Sequence, residues 1–368
     1  MFSILPKSYL DFKAAVLSES INGLKMNTFF DNFDNERFNY DGIDRSRIFN
    51  VSERIFWLSW FYENSEKLFE AFSLLKTERS RRLFLNLLAY RIGGHHSIRI
   101  NTRFDKESIS FETFKASETF TESRVAAVGV FGKLRHYDFI HKQKRYIADC
   151  LGFEYYLYRG QYFFEEETIS IMPTEGDFVI DGGACLGDTA IVFGNAVGKP
   201  GKVFAFDPVE NHLEVLMHNA RQNPDCNIQA MPFGLSDADV ECAPIKLETY
   251  SPGFSSRNQL VPLRALDSLI IGGEIPRIDF LKLDIEGAEM SALRGAIGSI
   301  RKFRPKLAIS LYHKPSDIFE IPLYIAKEFP FYSMYIDHYT IHNEETVLYC
   351  TPMPETFRAS GESNQRSS

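Results

Sequence analysis

A short run near the middle of the chain, Val179-Ile-Asp181-Gly182-Gly183-Ala184-Cys185-Leu186-Gly187-Asp188, has the make-up of a strand, a glycine-rich turn and a helix start. Glycines at such a turn let a ligand approach the backbone, and the helix amino end offers N–H groups that no turn of helix satisfies. A dinucleotide site would need GxGxxG, with the middle glycine lying against the pyrophosphate. Placed on Gly182 and Gly187, that template puts Ala184 in the middle and fails. The ligand is therefore expected to lack a pyrophosphate, and Asp181 suits a cationic group. Asp207 ends the next apolar run, Val203–Asp207. A carboxylate there can accept hydrogen bonds from both hydroxyls of a ribose. Adenosine carrying a positive charge meets both requirements, which makes S-adenosylmethionine the expected cofactor.

These residues need a framework that brings strand ends together. From about Tyr155 onward, compact apolar runs alternate with helical stretches. Strands are expected at Phe178–Asp181, Val203–Asp207, Ile228–Leu235, Phe280–Asp284 and Lys306–Leu311. Helices are expected at Asp188–Val197, Asn211–Asn223 and from Gly287 to about Arg301. That alternation implies βαβ units and a parallel sheet covered on both faces, an α/β doubly wound fold. Tyr332–Ile336 and Thr346–Cys350 read as an antiparallel pair. Upstream, apolar residues at helical spacing predict helices over Val51–Leu75 and Glu78–Arg91, the second stopped by Gly93-Gly94. Ser97–Arg103 reads as a short β-like run and Phe139–Leu151 as a further helix. The expected organisation is a helix-rich region over 1–150, a sheet domain over 151–352 and a polar, disordered tail over 353–368.

Composition limits the alternatives. With 41 Lys+Arg against 49 Asp+Glu the net charge is −8, which disfavours a nucleic-acid partner because phosphate neutralisation needs clustered cations. Hydrophobic residues at 44% and charged residues at 24% exclude a disordered, collagenous or disulfide-stapled chain. Five cysteines without CxxC spacing fit a reducing compartment. The longest apolar stretch, Ile55 to Tyr62, is far short of the roughly 20 residues that span a bilayer. With no signal core at the amino terminus, a cytoplasmic location is expected. His95-His96 lacks a carboxylate partner for a metal site, Cys185 reads as a small filler, and Trp57 and Trp60 read as core or interface.

At this level of detail the chain resembles class I S-adenosylmethionine-dependent methyltransferases, and specifically the FkbM family. The segments that carry the resemblance are FVIDGGACLGDTAIVF, VFAFDPVENHLEVLMHN, FGLSD, LDSL followed by IDFLKLDIEGAE, and LAISLYHKPSDIFEIP. It covers roughly 155–352 and extends more weakly to ERSRRLFLNLLAYRIGG and RGQYFFEEETISIMP. The resemblance implies a mostly parallel seven-stranded sheet with its last strand antiparallel. It places methionine and ribose contacts at Asp181, Gly183 and Gly187, the ribose on Asp207, and the adenine side at Ser236 and Asp237. Gln161 and Tyr162 would lie near the methionine end. Many relatives carry Glu where this chain has Asp207.

The chemistry would sit at two further strand ends, Asp284-Ile285-Glu286-Gly287 and Tyr312-His313-Lys314. Methyl transfer to an alcohol requires sulfur, carbon and oxygen in line and a base for the hydroxyl proton. His313 is the candidate general base. Asp284 or Glu286 would orient it or hold the acceptor, and Lys314 would steady a developing alkoxide or an acidic substrate group. Asp284, Glu286 and His313 have donors a divalent metal accepts, but their spacing demands none, and none is expected. The resulting expectation is O-methylation of a small-molecule or glycan acceptor, with a homo-oligomer as one role for residues 1–150. The rival readings are a catalytically silent S-adenosylmethionine binder and a dinucleotide-dependent sugar-modifying enzyme.

Overall fold

Apolar runs of four or five residues, nearly all buried, line up side by side as the centre of the protein. In the computed structural model, which describes residues 5–26, 29, 31–33, 50–103, 108–125, 132–245 and 259–354, these are β6 (Phe178–Gly182), β7 (Lys202–Phe206), β8 (Ile228–Met231), β12 (Phe280–Leu283) and β13 (Lys306–Ser310). They pair in parallel. With β14 (Tyr332–His338) and β15 (Thr346–Pro352) they form one seven-stranded sheet of order β14-β15-β13-β12-β6-β7-β8. β15 runs antiparallel to both neighbours, so the expected mostly parallel sheet with an antiparallel last strand is present. Strand order reverses at β6, between β7 and β12, and ligand crevices of open α/β sheets form beyond the carboxyl ends at such a point.

Within the sheet domain two expected elements differ. Ile228–Leu235 is not one strand: β8 ends at Met231, and β9 (Gly234–Leu235) joins a separate small sheet with β10 (Val240–Ile245) and β11 (Gln259–Arg264). The helix expected after β12 is divided into α8 (Glu289–Arg294) and α9 (Ile297–Phe303).

Residues before the sheet divide into two packing units. Helices α1 (Tyr9–Met26), α2 (Val51–Leu74) and α3 (Glu78–Gly93) share one continuous apolar core with the sheet, in which Phe12, Phe61 and Phe84 belong to the same cluster as Ile180, Leu281 and Ile309. Arg79 ties α3 to the β14 edge through an ion pair with Asp337 at 2.6 Å. Trp57 and Trp60 bracket the Arg91 guanidinium, each 5.3 Å from ring centroid to cation, and Trp60 lies against Phe319. They are packing residues joining α2 to the sheet domain, as their spacing suggested.

The segment 139–151 is not a helix. β2 (Arg135–His141) and β3 (Lys144–Cys150) form a hairpin closed by Lys142 and Gln143, both with positive φ. Tyr137, Phe139, Tyr146, Ala148 and Cys150 are buried at period two, a strand signal that the absence of an Asn-Gly turn obscured. Ser97–Arg103 forms no strand. The tail expected to be disordered lies, from residue 355 on, outside the described residues. No helix among the described residues is long and apolar enough to cross a membrane.

Candidate active site

Asp181 sits in β6 directly opposite Lys282 in β12, and the pairing of the two parallel strands sets their side chains together. Both are buried, with Lys282 Nζ 2.9 Å from Asp181 Oδ1. Thr189 donates its hydroxyl to Asp181 Oδ2 at 2.6 Å, and Lys282 also donates to the Gly183 carbonyl at 2.8 Å. The cation that Asp181 suits is thus supplied by the protein. Lys282 thereby links Asp181 to the glycine turn against which a cofactor contact was expected. Burial alone would lower the Lys282 ammonium, but Asp181 and Asp284 outweigh it and raise its pKa.

Gly183 has φ +79, and a Cβ there would lie 1.9 Å from the Asp284 carbonyl oxygen. A neighbouring strand exit is therefore enough to require glycine at this position. Gly187, φ +88, is the residue before helix α5 (Asp188–Val197). The hairpin buttresses this turn: Asn219, in α6 (Glu210–Gln222), donates to both the Asp149 and Leu186 carbonyls. Asp188, half-buried near Asp181, has its carboxyl pushed up to about 6, chiefly by loss of hydration.

Asp207 follows β7, as expected for a ribose ligand. Its Oδ1 accepts the Val209 amide at 2.8 Å, and Oδ2 lies 3.4 Å from His212 Nδ1. Cys185 stands 3.9 Å from the same imidazole nitrogen, its thiol pushed well up by burial. Ser236 and Asp237 leave β9 and contact Ser291 of α8, so they flank the helix after β12. Gln161 is buried, donating to Glu345 at 2.7 Å. Tyr162, φ +70, reaches across the sheet and donates its hydroxyl to Asp284 Oδ2 at 2.7 Å.

Asp284 is the hub of the second strand end. Tyr312 donates to its Oδ1 at 2.9 Å, and His313 Nε2 lies 3.4 Å from the same oxygen. His313 Nδ1 lies 2.8 Å from Glu289 Oε1, and Nε2 lies 3.6 Å from Glu286 Oε2. Burial alone would push the imidazole down, but Glu289, Asp284 and Glu286 together lift it to about 10. Burial would likewise raise Asp284, but Lys282, His313 and the two phenol hydrogen bonds leave it below its usual range. Glu286, with φ +56 and a side chain 45% exposed, lies at the mouth; burial of its inner part raises it to about 7.

Facing three carboxylates, the His313 imidazole favours its protonated form, which weighs against the general-base role expected of it, while Glu286 is the carboxylate most open to solvent. Lys314 donates to the Gly287 carbonyl and staples the turn after Asp284, a use that competes with any on substrate. Two residues went unrecognised in the sequence reading, Lys282 and Glu289. Lys282 had a signal: a lone lysine inside the buried run Phe280-Leu-Lys-Leu283 requires a buried counter-ion. Glu289 gave only its place in the DIEGAE segment. His95 and His96 belong to neither cluster of three ligating side chains among the described residues.

The sheet order and these strand ends define a doubly wound α/β protein with its polar groups gathered at the switch point. Residues 181–340 match the family described as the methyltransferase FkbM domain. It is 26% identical over 144 residues to the hexuronic acid methyltransferase AglP of Haloferax volcanii, covering 37% of this chain and 58% of that protein. The crystal structure of methyltransferase FkbM from Methylobacillus flagellatus shares the fold, with a TM-score of 0.52 and 20% identity over 82% of this chain and 62% of that one. The matches thus reach a little over half the length of either relative.

Proposed function

We propose that the protein is an S-adenosylmethionine-dependent methyltransferase that methylates a hydroxyl of a sugar or glycan. The observation that carries this reading is that Asp181, Asp207, Asp284 and His313 all fall within the segment matching the methyltransferase FkbM domain and stand at neighbouring strand ends. The similarity to a hexuronic acid methyltransferase favours a sugar acceptor. In this reading Gly183 and Gly187 shape the turn against the methionine, Asp207 takes the ribose hydroxyls, and Ser236 and Asp237 border the adenine. S-adenosylmethionine bound there would supply an electrophilic methyl group to the acceptor oxygen and depart as a neutral thioether, and the Glu286 carboxylate would accept the hydroxyl proton. Asp284 and His313 hold the acceptor side in place.

Residues 151–352 form the methyltransferase unit in this reading, and 1–150 shape the acceptor side. Support comes from Arg91, at the end of α3, which donates to the Pro315 carbonyl at 3.0 Å just beyond His313 and Lys314. The reading is tested by incubating the protein with S-adenosylmethionine bearing a trideuterated methyl group and a panel of neutral and uronic-acid oligosaccharides. Mass analysis should find the labelled methyl on a hydroxyl of at least one glycan and none in a Glu286→Gln reaction. Label carried only by amines would overturn the hydroxyl assignment.

A further inference from the structure

Beyond the hydrogen-bonded positions of Asp284, the same strand end gathers three ligating side chains. Asp284, Glu289 and His313 each present one donor atom, all within 4.8 Å of one another. They come from the carboxyl end of β12, the first turn of α8 and the loop after β13, so three elements of the fold converge on one point. Glu289 is 1% exposed and the His313 side chain 7%. Glu289 Oε2 is buried without a hydrogen bond, and neither ring nitrogen of His313 makes one of acceptable angle. That holds although Nδ1 lies only 2.8 Å from Glu289 Oε1. Three donor groups that converge from separate elements, one of them a buried carboxylate with an oxygen left unpartnered, are an arrangement that one shared ion would satisfy.

Charge counting points the same way. Asp284, Glu286 and Glu289 all face His313, and the nearby Lys282 is already paired with Asp181. Carboxylates outnumber cations here, and ions removed from water need compensation. We propose that Asp284, Glu289 and His313 bind one divalent cation of the manganese or magnesium type. Two carboxylate oxygens with one imidazole nitrogen suit such an ion. The outer partners that hold ligands in place are also present: Tyr162 and Tyr312 donate to Asp284, and the Ile285 amide donates to Glu289 at 2.8 Å. Glu286, half exposed beside the cluster, marks the solvent side from which an acceptor oxygen or water reaches the ion. The inference stands apart from the methyl-transfer reading, because cation binding requires neither cofactor nor acceptor.

The test titrates chelator-stripped full-length protein with Mn²⁺ alone, followed by calorimetry and by the electron paramagnetic resonance of free Mn²⁺. Wild type should bind one equivalent. Glu289→Gln, which keeps an oxygen for the Ile285 amide, should weaken binding at least tenfold. Asp284→Asn should do the same and serves if the first variant fails to fold. Asp207→Ala, which removes the other three-donor cluster with Cys185 and His212, should leave Mn²⁺ affinity unchanged. No stoichiometric binding by wild type, or equal binding by wild type and Glu289→Gln, overturns the proposal. S-adenosylhomocysteine titrated into the same samples separates the two readings: its binding without Mn²⁺ binding sinks the cation site alone, and the converse sinks the cofactor alone.

Discussion

Two neighbouring strand ends, formed from adjacent strands of one sheet, treat their buried charges in opposite ways. At the end of β6 the carboxylate of Asp181 meets Lys282 and the Thr189 hydroxyl, one cation to one anion. At the end of β12 and β13 a single imidazole faces three carboxylates. The first end is closed by the protein's own groups and holds the glycine turn rigid. The second carries a surplus of negative charge that the fold does not neutralise. An arrangement with that surplus is maintained against its electrostatic cost, which is why the chemistry is assigned there and the scaffold role to Asp181.

The widest gap between the two ends should appear in turnover. Glu286→Gln is expected to lower methyl transfer by about 10²–10⁴-fold while S-adenosylhomocysteine affinity stays within about twofold. Comparing single-turnover rates with calorimetry checks this, and a parallel loss of cofactor affinity would place Glu286 at the wrong end. At the closed end the effect should fall on stability. Lys282→Met leaves the Asp181 carboxylate buried and unpaired, which should cost about 3–5 kcal/mol in urea unfolding. A loss under about 1 kcal/mol would mean the pair is hydrated and not closed.

A smaller effect sharpens the same contrast through pH. Asp188 lies near the Asp181–Lys282 pair, and burial together with the Asp181 charge outweighs Lys282 and holds its carboxyl up at about 6. Because the folded pKa is raised above the unfolded one near 3.9, Asp188 favours the folded state below about pH 4, and that advantage is lost as pH rises through 6. Asp188→Asn should therefore melt higher than wild type above pH 6 and no higher near pH 4. Identical pH profiles for the two proteins would contradict the closed-end description.

Much of this arrangement was legible in the sequence because short apolar runs ending in acid state both a strand and its polar terminus. The strands ending near Asp181, Asp207 and Asp284, and the terminal antiparallel pair, followed from that pattern alone. The hairpin at 135–150 did not, because Lys142 and Gln143 make its turn without glycine or asparagine. The glycine turn was visible, but part of its cause was not: Gly183 is required by the carbonyl of Asp284, about a hundred residues away in sequence. The surroundings of His313 were illegible for a related reason. A histidine's protonation depends on how many carboxylates the fold brings to it, and Glu289 arrives only through the turn into α8.

The most direct measurement is calorimetric titration of the full-length protein with S-adenosylmethionine and S-adenosylhomocysteine, with NAD as control, on wild type and Asp207→Ala. The account predicts binding of both sulfur ligands, weakening by about 10–100-fold in Asp207→Ala as hydrogen bonds to a charged group are lost, and no binding of NAD. Folded wild-type protein that binds neither sulfur ligand, or binds them equally well without the Asp207 carboxylate, would contradict it.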